Sequence, residues 1–308
     1  MSKWSVARTA LTVVLLITAM AIWPFAARGQ EDDTAAASPA SVAVLGPYVT
    51  DVTGDAAMVN WITPPDVSGE CRLTGEAGSA KITLRTLAIT GRPEVRRAAE
   101  ITGLVPGRRY DYAVTVGGKK LEGSFQTPPA AGSRGPLTFM VISDTQSYPK
   151  RHRPVVEAAL REPAPAFLLV CGDLTGDGPA WWRWEKEFFT PTAELLQRTA
   201  LWPVRGNHEK DGVTFRELFR RPGAMPHYSF DYANVHVACL DQYQVDKNAD
   251  LEGDGLVQLA AWLDRDLAAS KAEWKIVCYH QPTFNVAGHE SDWGREQILP
   301  VLEKHGVD

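Results

Sequence analysis

The spacing of hydrophobic and polar residues changes along the chain near residue 137. Between residues 44 and 128 the apolar positions fall in short runs separated by turns: "AAMVNWIT" places Val59 and Trp61 on one face, and "KITLRT" and "YDYAVTV" alternate in the same way. A period of two is typical of half-buried strands. The pattern predicts an all-β sandwich over residues 44–128.

From residue 137 onward, apolar strands alternate with helical stretches. The runs "LTFMVIS", "AFLLVCG", "ALWPVRG" and "WKIVCYH" are typical of buried strands, and "HYSFDYANVHVACLD" predicts two adjoining strands around a turn at Ala233-Asn234. Helical spacing is found in "RPVVEAALRE", in the tryptophan-rich stretch 179–198 and in "LVQLAAWLDRDLAAS". This alternation predicts an α/β sandwich of mixed β-sheets flanked by helices, with its ligand site at the carboxyl ends of the strands.

The segments outside these two regions predict export and flexible connections. Basic residues precede the apolar run "TALTVVLLITAMAIWPFAA", and Ala27-Arg28-Gly29 fits a cleavage site, so residues 1–29 are predicted to be a signal peptide. The alternative is a retained N-terminal anchor, through which alone the protein would contact a membrane. Residues 30–43 and 129–136 have the small and polar composition of linkers.

Composition narrows the choice of function without deciding it. A chain of 308 residues is expected to form two domains, and a net charge of −5 gives no electrostatic reason to expect nucleic-acid binding. Four cysteines are too few for a disulfide scaffold. Cys171, Cys239 and Cys278 lie in apolar runs, where a free cysteine acts as a small hydrophobic residue. A disulfide between neighbouring strands remains the alternative.

Four of the apolar runs end on side chains that can bind a metal ion. Asp144, Asp173, Asn207 and His280 each follow a predicted strand. If these strands lie side by side, the four side chains converge on one rim of the sheet. Carboxylate, amide and imidazole ligands suit Fe, Mn or Zn. Two ions would need a bridging carboxylate, and Asp173, with its neighbouring glycine, is the best candidate.

The motifs "SDTQ", "GDLTGDG", "GNHE" and "YHQP", in that order, resemble those of the calcineurin-like metallophosphoesterase family. The corner "LVPGRRYDYAV" resembles that of fibronectin type III domains, in which a tyrosine hydroxyl bonds to upstream backbone. Together the two regions are most similar to the purple acid phosphatase branch. The resemblance implies a fibronectin type III-like domain over 44–128 and a metallophosphoesterase domain over 137–308.

The resemblance implies a phosphoesterase that hydrolyses phosphate esters with a hydroxide held by two metal ions, and the signal-like N-terminus predicts that it is exported. Asp144 would bind the first ion and Asp173 would bridge both. Asn207 and His280 would bind the second ion, and His208 would lie near the leaving group as the catalytic proton donor. The alternatives are a phosphodiesterase or nucleotidase using the same site, and an adhesion or scaffold protein whose second domain is a degenerate enzyme.

The sequence departs from the family pattern in three places. Gln146 stands where the family has His or Gly, and it is either a weak metal ligand or a residue that orients a water. Gly176 replaces the Tyr of iron-phenolate members, so a purple charge-transfer colour is not expected. The chain stops at "EKHGVD" before any Gly-His-x-His motif, which predicts a C-terminally incomplete domain. His289 is either a substrate contact or a solvated loop histidine.

Overall fold

The structure is a computed structural model that describes residues 11–15, 44–76, 78–220, 223–245, 247–284 and 292–308, with residues 11–15 described by their backbone only. Its strands are β1 (Leu11–Leu15), β2 (Leu45–Thr50), β3 (Ala56–Thr63), β4 (Gly69–Leu73), β5 (Lys81–Ala88), β6 (Val95–Thr102), β7 (Arg109–Val116), β8 (Lys119–Gln126), β9 (Leu137–Ile142), β10 (Phe167–Cys171), β11 (Ala200–Val204), β12 (Tyr228–Tyr232), β13 (Val235–Cys239) and β14 (Trp274–Cys278). The α-helices are α1 (Pro149–Ala159), α2 (Trp181–Arg183), α3 (Thr190–Leu196), α4 (Val213–Phe219), α5 (Asp254–Ala269) and α6 (Leu299–His305). Two π-helical segments, Trp184–Phe189 and Gly294–Ile298, precede α3 and α6, and a 3₁₀ turn spans Asn207–Glu209.

The first region, β2 to β8, is built from strands in two sheets. One sheet has the antiparallel order β2-β3-β6-β5, and the other has the order β4-β7-β8. Trp61, Tyr112 and Phe125 are buried in its core. At the corner before β7, the backbone N–H of Val105 donates a hydrogen bond of 2.9 Å to the hydroxyl of Tyr110. This is the contact that the sequence pattern led us to expect.

The second region contains two sheets with helices on their outer sides. Strands β9, β10 and β11 are parallel neighbours, whereas β12, β13 and β14 form a separate sheet in which β13 and β14 are parallel. Successive residues of β10 face opposite sides: Phe167 and Leu169 join the core that contains Val237 of β13, while Leu168 and Val170 face the helices. Burial on both faces explains why these strands are continuously apolar.

The structure corrects one feature of the predicted arrangement. Three of the four motifs that were predicted to bind metal follow β9, β10 and β11, which lie side by side as expected. The prediction that the fourth strand lies in the same row is wrong, because β14 belongs to the β12-β13-β14 sheet. His280 therefore reaches the site from the second sheet.

The two regions share a sheet and a core. Strand β2 pairs with β11 through Val49 and Ala200, so one sheet continues from the second region into the first. The hydroxyl of Tyr48 donates to the carbonyl of Leu218 at 2.6 Å, and the buried guanidinium of Arg96 donates to the same carbonyl at 2.7 Å. Residues 129–136, the predicted linker, lie between β8 and β9.

Of residues 1–43, the predicted signal peptide and first linker, the structure describes Leu11–Leu15 as β1, together with Val44 onward; β1 pairs in parallel with β9. None of the helices in the described ranges has the length and apolar character needed to cross a bilayer. At the other end, the backbone N–H of Asp308 donates to the carbonyl of Lys275 at 2.9 Å, which places residue 308 beside β14. His289 lies outside the described residues.

Candidate metal centre

The carboxyl ends of the parallel strands bring the predicted ligands to one edge. Asp144 and Asp173 each stand two residues after their strands, β9 and β10, and Asn207 stands three residues after β11. Because β14 ends at the same place in the facing sheet, His280 enters from the opposite side. The sequence thus folds four polar strand ends into one cleft between the two sheets.

The side chains meet at short distances. One ligand atom each from Asp144, Asp173 and His280 lies within 4.8 Å of the others. The Nε2 atom of His280 is 3.3 Å from Oδ1 of Asp173 and 3.0 Å from Oδ1 of Asn207. Asp173 is buried while Asp144 is exposed, so the group is open to solvent on one side. This combination of oxygen atoms and an imidazole suits Fe, Mn or Zn.

Asp173 stands at the middle of the group. Its Oδ1 accepts a 2.9 Å hydrogen bond from the backbone N–H of His208, and its Oδ2 accepts a 3.2 Å hydrogen bond from the side-chain amide of Gln146. The ring of His280 lies on the Oδ1 side. A carboxylate with neighbours on both oxygens is suited to bridge two cations.

The amide of Gln146 leaves one atom unsatisfied. Its Nε2 donates to Asp173, whereas its Oε1 is buried without a hydrogen-bond partner among the described residues. Buried oxygen atoms in folded proteins are nearly always paired with a donor, a water or a cation. A cation or its bound water next to Asp173 would satisfy this atom, so the residues present fit a metal ion.

His280 is oriented by its second ring nitrogen. Its Nδ1 lies 2.9 Å from the carbonyl of Cys171, so Nδ1 carries a hydrogen and Nε2 points at the carboxylate. Burial alone would lower the pKa of His280, but the hydrogen bond and charge of Asp173 raise it to about 9. A cation at Nε2 would take the place of the proton that Asp173 holds there.

His208 lies beside the Asp173 carboxylate but is not part of the group formed by Asp144, Asp173 and His280. Its Nδ1 is 2.9 Å from the carbonyl of Gly176, and its Nε2 is 3.9 Å from Oδ2 of Asp173. The ring is 38% exposed. With Nδ1–H bound to the carbonyl, Nε2 is the nitrogen that can hold and transfer a proton towards solvent.

Sequence reasoning missed Glu209, which holds the ligand loops in place. Its buried carboxylate accepts hydrogen bonds from the backbone N–H groups of Gly206 at 2.6 Å, Leu174 at 2.8 Å, Asp173 at 3.0 Å and Thr175 at 3.2 Å. Burial raises its pKa to about 7, with the charge of Asp173 acting in the same direction and these hydrogen bonds opposing it. The acidic residue in "GNHE" was visible in the sequence, but its backbone partners were not.

Gln242, just after β13, is a second residue that the sequence did not reveal. Its Oε1 accepts hydrogen bonds from the backbone N–H of His280 at 3.1 Å and of Gln281 at 3.0 Å. Its Nε2 donates to the side chain of Gln281 at 2.9 Å. Gln242 therefore fixes the backbone from which the His280 ring projects.

Two glycines permit the close approach of the ligands. A Cβ atom at Gly206 would lie 2.2 Å from Oδ1 of Asp173, and one at Gly172 would lie 2.5 Å from Nδ1 of His280. Asp144 and Asp173 both adopt a positive φ of 54°, which is uncommon for a residue with a side chain. Such conformations concentrate at functional sites, where the surrounding contacts hold them in place.

Comparison with known proteins places the second region in a family. A family model described as Calcineurin-like phosphoesterase matches residues 137–308, which is more than half of the chain. Among solved structures, the chain is similar to the amylomaltase from Corynebacterium glutamicum, with 16% sequence identity and a TM-score of 0.22. That match covers 41% of this chain and 21% of the amylomaltase chain, so it spans about a fifth of the other protein and carries no argument about fold or function.

Proposed function

The chain belongs to the calcineurin-like phosphoesterase family, whose members are metal-dependent phosphoester hydrolases, and we propose that it hydrolyses phosphate esters at a two-metal centre formed by Asp144, Asp173, Asn207 and His280. The observation that carries the proposal is the meeting of Asp144, Asp173 and His280 within 4.8 Å around a buried carboxylate. Gln146 is included as a residue at the first ion, since its buried oxygen faces no other partner in the described structure.

The metal ions and the protein side chains would have different roles in the reaction. When bound, two cations supply a hydroxide near neutral pH and neutralise the charge that builds on the phosphoryl oxygens. Asp173 would hold the ions together, and Glu209 and Gln242 would fix the backbone of its neighbours. His208, protonated at Nε2, would give its proton to the departing oxygen of the ester.

The proposal also includes the branch of the family, the export of the protein and its substrate class. The purple acid phosphatase branch is supported by the order of the motifs and by the preceding β-sheet region, in which Tyr110 bonds to the backbone of Val105. Export is supported by the signal-like pattern of residues 1–29. A phosphate monoester is the proposed substrate class, with a diester or nucleotide as the alternative.

A metal-loaded substrate panel tests the proposed activity. The protein, loaded in turn with Mn²⁺, Zn²⁺ or Fe²⁺, is assayed with p-nitrophenyl phosphate, with bis-p-nitrophenyl phosphate and with a nucleoside monophosphate. We expect metal-dependent release of nitrophenol from the monoester and loss of that activity when a chelator removes the metal. Hydrolysis of the diester alone would move the protein to the phosphodiesterase class. Metal binding without hydrolysis of any of the three would contradict the enzymatic function.

A further inference from the structure

Two cysteine side chains lie in contact directly behind the metal centre. Cys171 is the last residue of β10, and Cys278 is the last residue of β14. Each precedes a proposed ligand by two residues, Asp173 in one case and His280 in the other. The two strands belong to different sheets, yet the Sγ atoms are 2.9 Å apart. The thiols thus join the two sheets at the point where both contribute ligands.

We propose that Cys171 and Cys278 are a redox-modification site, which forms a disulfide that covalently ties the two ligand-bearing strands together. A disulfide bond has a sulfur–sulfur distance of about 2.05 Å, so the two sulfur atoms need to approach by roughly 0.9 Å. Both cysteines are free thiols in the structure. The approach starts from two sulfur atoms that are already in contact.

An oxidant can reach the pair through a groove between the sheets. The groove has a volume of about 760 Å³ and is lined by both cysteines together with Phe139, Thr283 and Phe284. Cys171 is only partly buried, whereas Cys278 is buried. We therefore assign the first attack to Cys171 and the closing attack to Cys278.

The reaction balances as a thiol–disulfide exchange with an external disulfide, either a small molecule or a protein. The Cys171 sulfur attacks one sulfur of the reagent, breaking its S–S bond and releasing one thiol. The Cys278 sulfur then attacks the Cys171 sulfur of the mixed disulfide, forming the internal bond and releasing the second thiol. The two cysteines lose two electrons and two protons. The external disulfide takes them up and leaves as two thiols.

The bond would act on the metal centre through the backbone of Cys171. The carbonyl of this residue accepts the hydrogen bond from Nδ1 of His280 at 2.9 Å, so the thiol and the ligand orientation share one residue. A covalent tie keeps Asp173 and His280 at one separation whether or not a cation holds them. We expect slower loss of metal from the oxidised protein, a consequence that rests on the proposed function, whereas formation of the bond does not.

A disulfide between Cys239 and Cys278 is the competing linkage. Cys239 stands opposite Cys278 in the parallel pairing of β13 with β14, and only 1% of it is exposed. Cys71 serves as a matched control, because it lies in β4 and pairs with Val114 of β7, in a sheet that contains none of the other three cysteines.

Thiol mapping tests the site. The full chain is incubated with oxidised glutathione or with a reductant, free thiols are alkylated, and proteolytic peptides are identified by mass spectrometry. We expect a peptide pair joined through Cys171 and Cys278 only after oxidation, its persistence in Cys71→Ser, and its absence in Cys171→Ala and Cys278→Ala. A Cys239–Cys278 linkage, glutathione adducts without an internal bond, or no change in the wild-type chain would each overturn the proposal.

The effect on the metal is measured separately. Oxidised and reduced protein loaded with Zn²⁺ are mixed with a chelator, and the release of metal is followed with time. A several-fold slower release from the oxidised form, absent in Cys278→Ala, supports the coupling. Equal rates with the disulfide intact would overturn the coupling. Failure of both forms to hold Zn²⁺ would contradict the proposed metal centre and leave the mapping result to stand by itself.

Discussion

At the scale of single residues, the proposed chemistry centres on Asp173 and its neighbours. The carboxylate touches the amide of Gln146 on one oxygen, and the backbone of His208 and the ring of His280 on the other. Each neighbour has a different second contact, which separates their roles. The ring of His280 is oriented by the Cys171 carbonyl, while the ring of His208 is partly exposed.

Replacing His208 with Ala separates proton donation from metal binding. We expect the variant to retain its metal and to turn over p-nitrophenyl phosphate on the order of 10²-fold more slowly, because the leaving oxygen loses its proton donor. Elemental analysis and steady-state kinetics on the same preparation check both parts. Loss of metal would show that His208 is a ligand.

Replacing Gln146 with His tests whether this position contacts an ion. Imidazole is a better ligand than a carboxamide oxygen for Zn²⁺ or Mn²⁺, so affinity should rise on the order of tenfold, equivalent to about 1.4 kcal/mol. Calorimetric titration of the metal-free protein measures the change. Unchanged affinity would place Gln146 outside the direct ligands, as a residue that orients a water.

Replacing Glu209 with Gln tests the residue that the sequence did not reveal. The buried carboxylate accepts from several backbone N–H groups, and an amide would turn a donor towards some of them. We expect the free energy of unfolding to fall by about 2 to 3 kcal/mol, with weaker metal binding. The exposed Glu185, changed to Gln, is the matched control and should stay within about 0.5 kcal/mol of wild type. Equal unfolding midpoints for the two variants would contradict the assigned role.

At the scale of elements, local sequence was a good guide to strands and a poor guide to their partners. Apolar runs located β9, β10, β11 and β14 within a few residues. They could not show that β14 pairs with β13, because a strand that is buried on both faces carries no mark of which neighbour it joins. The position of His280 opposite Asp173, rather than beside it, follows from that long-range choice.

A buried histidine joins three elements of the second region. Nδ1 of His236 on β13 lies 2.7 Å from Asp231 of β12, and its Nε2 lies 2.8 Å from Asp266 of α5. Burial would lower the pKa of His236, but the hydrogen bonds and charges of Asp266 and Asp231 outweigh it and raise the pKa above the ordinary value of 6.5. The imidazolium can donate to both carboxylates at once.

This pairing predicts a pH-dependent stability. A pKa raised on folding contributes stability that is fully present below the unfolded value of 6.5 and is lost as pH rises through the folded value. The difference in unfolding free energy between wild type and His236→Gln should be larger at about pH 5.5 than at about pH 9. Urea denaturation at both pH values measures it.

His152 supplies a control of opposite sign. Burial lowers its pKa to about 4, so wild-type stability at this position is lost as pH falls from 6.5 towards 4. His152→Gln should therefore gain on wild type as the solution is acidified over that range. A constant difference for His236→Gln across pH, or the same trend in both variants, would contradict the assignment.

At the scale of the whole molecule, the spacing of apolar residues predicted two different regions, but it did not predict how the two regions pack together. The change from alternating to continuous apolar runs near residue 137 predicted where the all-β region gives way to the α/β region. The pairing of β2 with β11 rests on one register pair, Val49 with Ala200, and the contact of Tyr48 with Leu218 spans 170 residues of sequence. Periodicity reports neighbours a few residues apart and carries no record of such contacts.

The candidate site was likewise only partly predictable from the sequence. Asp144, Asp173, Asn207 and His280 could be predicted as ligands because each is a metal-capable residue type that follows a strand, and the structure brings them together. Glu209 and Gln242 act through backbone N–H groups, whose positions exist only after folding. The contact of Cys171 with Cys278 likewise depends on the facing of two sheets.

The measurement that tests the central claim most directly is metal content and turnover of Asp173→Asn beside wild type. Both proteins are loaded with Mn²⁺ or Zn²⁺, desalted, and examined by elemental analysis and by hydrolysis of p-nitrophenyl phosphate, with Asp254→Asn, an exposed site on α5, as the control. A neutral amide does not offset the repulsion of two cations, so the variant should lose most of its metal and its hydrolysis, while the control keeps both. Wild-type metal content and turnover in Asp173→Asn would contradict the claim that this carboxylate bridges the metal centre.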